Sequence, residues 1–278
     1  MPLNLHLKTQ LTVPLNVDRV LPENVIVKGC HRIPVEEGNC VGQLSDYFEI
    51  EGTATEDETI RFSGDLMNVY GIGRAMSGGT IEVKGDVGPF VGRAMSGGKI
   101  VVDGNTDDYL GAEMTGGQIV VRGDARNYVG ANPPGGKYGM NRGTIFISGN
   151  AGQSLGRRMR RGTVVVQGTA GALCGWEMMA GTILVFGSVG HHVGLDMKRG
   201  TIILPSESAG SFEAITSFVE GSTSHSQTIA MIGAWLKQSE IELPEDMIDQ
   251  CLLKPKFLQW HGDINEGGRG EIFRTSQR

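Results

Sequence analysis

Residues 76–94 read MSGGTIEVKGDVGPFVGRA, and residues 95–102 begin the same phrase again as MSGGKIVV. Followed along the chain, the phrase recurs at Met76, Met95, Met114, Met140, Met159, Met178 and Met197. The steps are 19 residues, except for one of 26 between Met114 and Met140. That step is one unit plus seven residues, inserted between Gly130 and Met140 (ANPPGGKYG). Glycines keep the same time: Gly79, Gly98, Gly117, Gly143, Gly162, Gly181 and Gly200 stand before each apolar run. Gly85, Gly104, Gly123, Gly149, Gly168 and Gly187 follow them. Thr59 to Phe62, leading into Gly64-Asp65, starts the series.

A 19-residue period with one short apolar strand per unit is too short for a helical hairpin repeat or for a propeller blade of about 40 residues. It fits one coil of a parallel β-solenoid, in which each strand pairs with its counterpart one coil away and stacking completes a core that no coil could bury alone. Seven coils spaced by about 4.8 Å predict a rod on the order of 34 Å long. Strand alternation turns Ile81/Val83, Ile100/Val102, Ile119/Val121, Ile145/Ile147, Val164/Val166, Ile183/Val185 and Ile202/Leu204 inward. The methionines form a third inward file, and Val91, Leu110, Val129, Leu155, Cys174 and Val193 a fourth. The glycine before each strand is invariant while its predecessor changes, as in Arg142, Arg161, Ala180 and Arg199, so only the second position demands positive φ or a close approach. The short polar residues Asp86, Asn105, Asp124, Asn150, Thr169 and Ser188 are expected to turn the chain by bonding nearby amides. The expected organisation is an N-terminal cap over 1–58, solenoid repeats over 59–205 and a partly helical C-terminal segment over 206–278.

The residues between each inward pair point outward, and from the second coil they are Val101, Val120, Phe146, Val165, Leu184 and Ile203. Six consecutive apolar residues on an outer face require a cover. The candidates are the chain's own stretch Ser224 to Lys237, helical in pattern and apolar on one side, and a partner subunit docking on the stripe. A helix of about 14 residues spans roughly 21 Å, against about 29 Å of stripe, so both have room to contribute.

The 278 residues carry 25 Lys and Arg against 31 Asp and Glu, a net charge of −6, which argues against a general nucleic-acid binder. Charge is segregated along the chain. Residues 125–176 hold Arg126, Lys137, Arg142, Arg157, Arg158, Arg160 and Arg161 and no acid, whereas 36–58 hold acids and no Lys or Arg. Arg142, Arg157, Arg158, Arg160 and Arg161 thereby form a candidate site for an acidic partner or an anionic carrier, the alternative being a solvated corner. The longest apolar stretch, Ile229 to Leu236, is too short to span a bilayer, and the N-terminus lacks the pattern of a secretion signal. Four scattered cysteines without a CxxC fit a reducing cytoplasm.

Other tempting features have plainer readings. YGIGRAMSGG (70–79) resembles a dinucleotide loop only loosely, and its glycines recur in every coil. His191-His192 could ligate a metal, but His192 shares a register column with Phe90, Tyr109, Tyr128, Ser154 and Leu173, where a stacked ring is expected. Cys174 is an inward residue rather than a nucleophile, and Cys30, His31 and Cys40 lack a fourth zinc ligand. No catalytic, cofactor-binding or metal-ligating set stands out.

The unit G-D-x4-V-G-x2-M-x-G-G-x-I-x-V resembles the repeat of the C subunits of formylmethanofuran dehydrogenase and of the formyltransferase/hydrolase complex of methylotrophic bacteria. A looser version occurs in the C-terminal domain of glutamate synthase large subunits. The likeness covers roughly 42–205, includes the lead-in Asp46 to Gly52 and the insertion before Gly139-Met140, and returns in the tail (Phe257 to Asp263, Gly267 to Phe273). It implies a right-handed parallel β-helix with no catalytic residues of its own. Chemistry would belong to sibling subunits: a formyltransferase, an amidohydrolase-like subunit with metals, and one similar to molybdopterin enzymes. The resemblance implies transfer of formyl from formyl-tetrahydromethanopterin to a methanofuran-type carrier and its hydrolysis to formate. Reduction of CO2 to formylmethanofuran, a glutamate-synthase-like structural domain and a free-standing solenoid enzyme are the alternatives. Residues 206–256 fit the methylotroph branch better. The family's carrier has a glutamate-rich arm, which suits the arginine corner.

Overall fold

The computed structural model describes residues 2–28, 32–53, 58–205, 215–239 and 243–276. The protein is mostly β-strand, and one large sheet dominates it. The N-terminal elements are β1 (Leu3–Leu7), β2 (Leu15–Asn16), α1 (Pro22–Lys28), β3 (Pro34–Glu37), β4 (Cys40–Gln43), α2 (Leu44–Tyr47) and β5 (Phe48–Glu51). The repeats supply β6 (Thr59–Ser63), β7 (Val69–Tyr70), β8 (Thr80–Lys84), β9 (Lys99–Val102), β10 (Thr115–Val121), β11 (Arg142–Ile147), β12 (Thr163–Val166), β13 (Thr182–Val185) and β14 (Arg199–Leu204). The C-terminal part contains β15 (Val219–Ser224), α3 (Gln227–Gln238), α4 (Glu245–Ile248), β16 (Phe257–Gly262) and β17 (Arg269–Thr275).

The main sheet has 13 strands in the order β15-β16-β17-β14-β13-β12-β11-β10-β9-β8-β6-β1-β5. From β6 to β14 each repeat adds one parallel strand in register, as Ile81 opposite Ile100 and Val164 opposite Ile183, with one irregularity between Thr115 and Gln118 where β10 meets β11. A second parallel ladder of single bridges runs Leu66, Val87, Thr106, Ala125, Ala151, Ala170, Val189, again one residue per repeat. The chain therefore returns to two fixed lines in every unit. Both ends extend the repeats. β1 pairs parallel with β6, placing Leu3 and Leu5 in the inward file, and β17 pairs parallel with β14, aligning Ile272 with Ile202. β5, β16 and β15 run antiparallel beyond them.

The expected inward files are the core. All seven methionines and every inward strand pair from Ile81 to Leu204 have no accessible surface. The glycine before each strand is left-handed throughout, from φ +76 at Gly79 to +111 at Gly200. A Cβ on Gly162 (φ +102) would lie 2.8 Å from Met140 Cε and 2.9 Å from the Gly143 carbonyl oxygen. The methionine of one repeat thus occupies the space that the glycine of the next leaves free.

The short polar residues differ from expectation. Four of the six bond the next repeat rather than a local turn: Asp86 Oδ1 accepts from the Asn105 amide (2.8 Å), Asn105 Oδ1 from the Asp124 amide (2.7 Å), and Asp124 Oδ1 from the Asn150 amide (2.6 Å). Asn150 Oδ1 continues the ladder to Thr169 at 2.9 Å. A parallel stack brings equivalent residues together, so an acceptor at this position finds its nearest unpaired donor one repeat away.

Candidate functional site

The apolar stripe is covered from within the chain. Val120, Phe146, Val165, Leu184 and Ile203 are buried in a second core with Ile229, Leu236, Leu243, Ile248, Leu252, Phe257 and Phe273. α3 is capped by Ser226, whose Oγ accepts from the Ile229 amide at 3.3 Å, and presents Ile229, Gly233 and Leu236 inward. It begins three residues later than the expected Ser224, which lies in β15. α4 and the residues to Phe257 lengthen the cover beyond what one helix reaches. The expectation that these positions dock a sibling is corrected on that ground, because their surface is spent inside the chain. Val101 alone of the six is half-buried, at the margin. One strand further, the face turns polar, with Arg61 bonded to Glu82 at 2.7 Å.

The five arginines gather beside the insertion and divide into two sets. The amide of Gly139 donates to the Arg158 carbonyl (2.9 Å) and the amide of Arg158 to the Trp176 carbonyl (3.1 Å), which fixes three successive repeats at this corner. Glu177 clamps two of the arginines: Arg157 Nε donates to Oε2 at 3.1 Å, and Arg158 donates through Nε and a terminal nitrogen at 2.9 and 3.0 Å. The hydrogen bond from Arg158, reinforced by Arg157, holds the Glu177 carboxyl below the usual range, and the same carboxylate raises the Arg158 guanidinium. The Arg157 guanidinium also lies 4.0 Å over the Trp176 ring. Arg142, Arg160 and Arg161 are exposed and form no ion pair among the described residues. Arg160 lies 5.0 Å over Tyr138, and Lys137 approaches the same ring at 5.2 Å. The acid-free stretch of sequence ends at residue 176, one position short of Glu177, so the clamp is invisible in the charge pattern. A signal was present elsewhere, since Arg93 bonds Glu113 at 3.0 Å across the same 20-residue spacing.

The register column of aromatic residues is a ladder. Phe90 stacks on Tyr109 at 5.0 Å and Tyr109 on Tyr128 at 4.8 Å, with rings within 10° of parallel. Every residue of the column, through Ser154, Leu173 and His192, has φ between +60 and +65. That left-handed backbone costs on the order of 1 kcal/mol per non-glycine residue, which ring stacking of similar size offsets. His192 is exposed and its ring faces that of His191, tilted by 56° at 6.3 Å. Between the two tyrosines, the insertion and Arg157 lies a cleft of about 510 Å³.

Cys174 is fully buried, and desolvation pushes its thiol up to about 12. Cys40 is exposed at the start of β4, whereas Cys30 and His31 lie outside the described residues. Among the described residues no three His, Cys, Asp or Glu side chains are grouped to hold a metal ion. No helix among them is long and apolar enough to cross a membrane.

Comparison with known proteins gives three results. A family model described as the GXGXG motif matches residues 100–230. The C subunit of the molybdenum-containing formylmethanofuran dehydrogenase 1 of Methanothermobacter marburgensis is 37% identical over 84 residues, 29% of this chain and 21% of that protein. The C subunit of the tungsten-containing formylmethanofuran dehydrogenase 2 of Methanococcus maripaludis is 33% identical over 90 residues, 31% of this chain and 33% of that protein. These matches therefore span a third or less of the curated relatives' length. A chain in the crystal structure of the formyltransferase/hydrolase complex from Methylorubrum extorquens, solved with methylofuran, superposes with a TM-score of 0.88. It is 30% identical, over 99% of this chain and 100% of that one. The likeness to that chain runs along the whole length, and the chain belongs to the family formed by the C subunits of formylmethanofuran dehydrogenases and formyltransferase/hydrolase complexes.

Proposed function

We propose that the protein is a non-catalytic scaffold subunit of a cytoplasmic one-carbon complex. The complex would transfer formyl from formyl-tetrahydromethanopterin to a methanofuran-type carrier and hydrolyse it to formate. The observation that carries this reading is the full-length similarity to a chain of a formyltransferase/hydrolase complex, C-terminal cover included. In this reading the stacked strands wind as a right-handed parallel β-helix. The chain binds no cofactor of its own. Metals and the carrier's reacting end belong to siblings: a formyltransferase, an amidohydrolase-like subunit and a subunit similar to molybdopterin enzymes. The arginine corner presents Arg142, Arg160 and Arg161 outward, with Arg157 and Arg158 fixed behind them, and meets an acidic sibling or the anionic carrier.

A second reading, membership of a molybdenum- or tungsten-dependent formylmethanofuran dehydrogenase that reduces CO2, has the partial matches in its favour. Purification of the tagged chain from its native host separates the two. The first reading expects co-elution of a formyltransferase and an amidohydrolase-like protein, with formate release from formyl-tetrahydromethanopterin by the assembly and none by the chain alone. Co-elution with a redox-active molybdenum or tungsten subunit supports the second, and turnover by the lone chain defeats both.

A further inference from the structure

We propose that the cleft between the tyrosine ladder and the 131–139 insertion binds a small oligocarboxylate with an apolar, ring-sized body. Tyr109, Tyr128, Pro133, Lys137, Arg157 and Arg158 line it, and no acidic residue does. The adjoining cleft beyond Lys137 and Arg158 is different, lined also by Glu177, Asp196 and Glu266. Glu177 offsets one of the two arginine charges from the far side of that ridge, so with Lys137 the cleft keeps a net positive charge, which favours an anion there over the acid-lined neighbour.

The donors are fixed before any ligand arrives. Arg157 lies over Trp176, 4.0 Å from the ring centroid, and is tied through Nε to Glu177, which leaves its terminal nitrogens to donate. Arg158 is tied at Nε and one terminal nitrogen, leaving the other. Burial raises the Tyr109 phenol above its ordinary value, so at neutral pH it carries a proton to donate. The opposite wall is rigid as well. Asn132 is 7% exposed, and its Nδ2 donates to the Gly136 carbonyl at 2.9 Å, closing the loop around Pro133 and Pro134. The proline rings and tyrosine edges supply the apolar contact, and the volume suits a ligand of one ring with its substituents.

The proposal extends the reading of this corner as an anion-recognising surface, but it is tested without the siblings. Benzene-1,3,5-tricarboxylate is titrated into the full chain by calorimetry, and separately into the complex purified with it. Saturable binding is expected in both. Lys137→Ala, on the exposed loop, and Tyr109→Phe, which keeps the stacked ring, are each expected to weaken it about three- to tenfold. Absent binding, equal binding of inorganic phosphate, or an affinity unchanged in both variants overturns the proposal. So does binding to the free chain that is lost in the complex, which would hand the cleft to a sibling's acidic segment. Failure of the complex to co-purify bears on the scaffold reading alone.

Discussion

Gly162 shows why the repeat tolerates so little at one position and so much beside it. Its φ of +102 and the neighbouring Met140 Cε leave no space for a methyl group, whereas Arg161 before it is exposed. Gly162→Ala is expected to destabilise the chain by about 2 kcal/mol or more, read as a lower denaturant midpoint, while Arg161→Ala leaves the midpoint unchanged. The invariance of this glycine was legible in the sequence, because its predecessor varies. The Asp86–Asn150 ladder was not, since a short polar side chain after glycine has the same sequence signature in a local turn as in a bond to the next repeat. Glu177 supplies a second test. Its carboxyl is lowered in the folded state by Arg158 and then Arg157, so its contribution is present above the unfolded value of about 4.3 and is lost as pH falls through the folded one. Glu177→Gln is therefore expected to cost about 1 kcal/mol at pH 7 and nothing in strong acid, measured by unfolding across that range. A constant difference would show that the pair is inert.

At the scale of elements, the inward files were readable because strand alternation and the 19-residue step leave one phase that buries an apolar residue every time. The outer stripe was readable as a problem, but its solution was not. α3 alone is too short, and the additional cover comes from Leu243, Ile248, Leu252 and Phe257, which follow no repeat and have no strong period. β1 and β17 escaped for the same reason. Leu3 to Leu7 lack the glycine-methionine frame and Arg269 to Thr275 keep its glycine, Gly270 opposite Gly200, without the methionine, so it is their pairing with β6 and β14 that makes them rungs. The self-cover has a measurable consequence. Leu236→Asp places a charge against the second core and is expected to cost about 3 kcal/mol or more, with bound hydrophobic dye increasing while the far-ultraviolet strand signal persists. An unchanged dye signal would mean that α3 is not the seal.

For the whole molecule, exposed basic charge collects at the corner beside the insertion, where Arg142, Arg160 and Arg161 lie. Arg160 and Arg161 are exposed and stand apart from the Glu177 clamp, so they report on partners without disturbing it. In the reconstituted complex, Arg160→Glu combined with Arg161→Glu is expected to raise the apparent KM for the carrier several-fold at unchanged kcat. Unaltered kinetics would assign the corner to solvent. The ends themselves carry a final consequence. Identical rungs stacked in register have no inherent length, and the same geometry lets amyloid fibrils elongate by adding one molecule after another. Here β5 at one end and β16 at the other run against the direction of the rungs, so the last parallel strand is never bare. A proteolytic cut that removed Phe257 to Thr275 would uncover β14 as a template, and a finite particle would become the seed of a polymer.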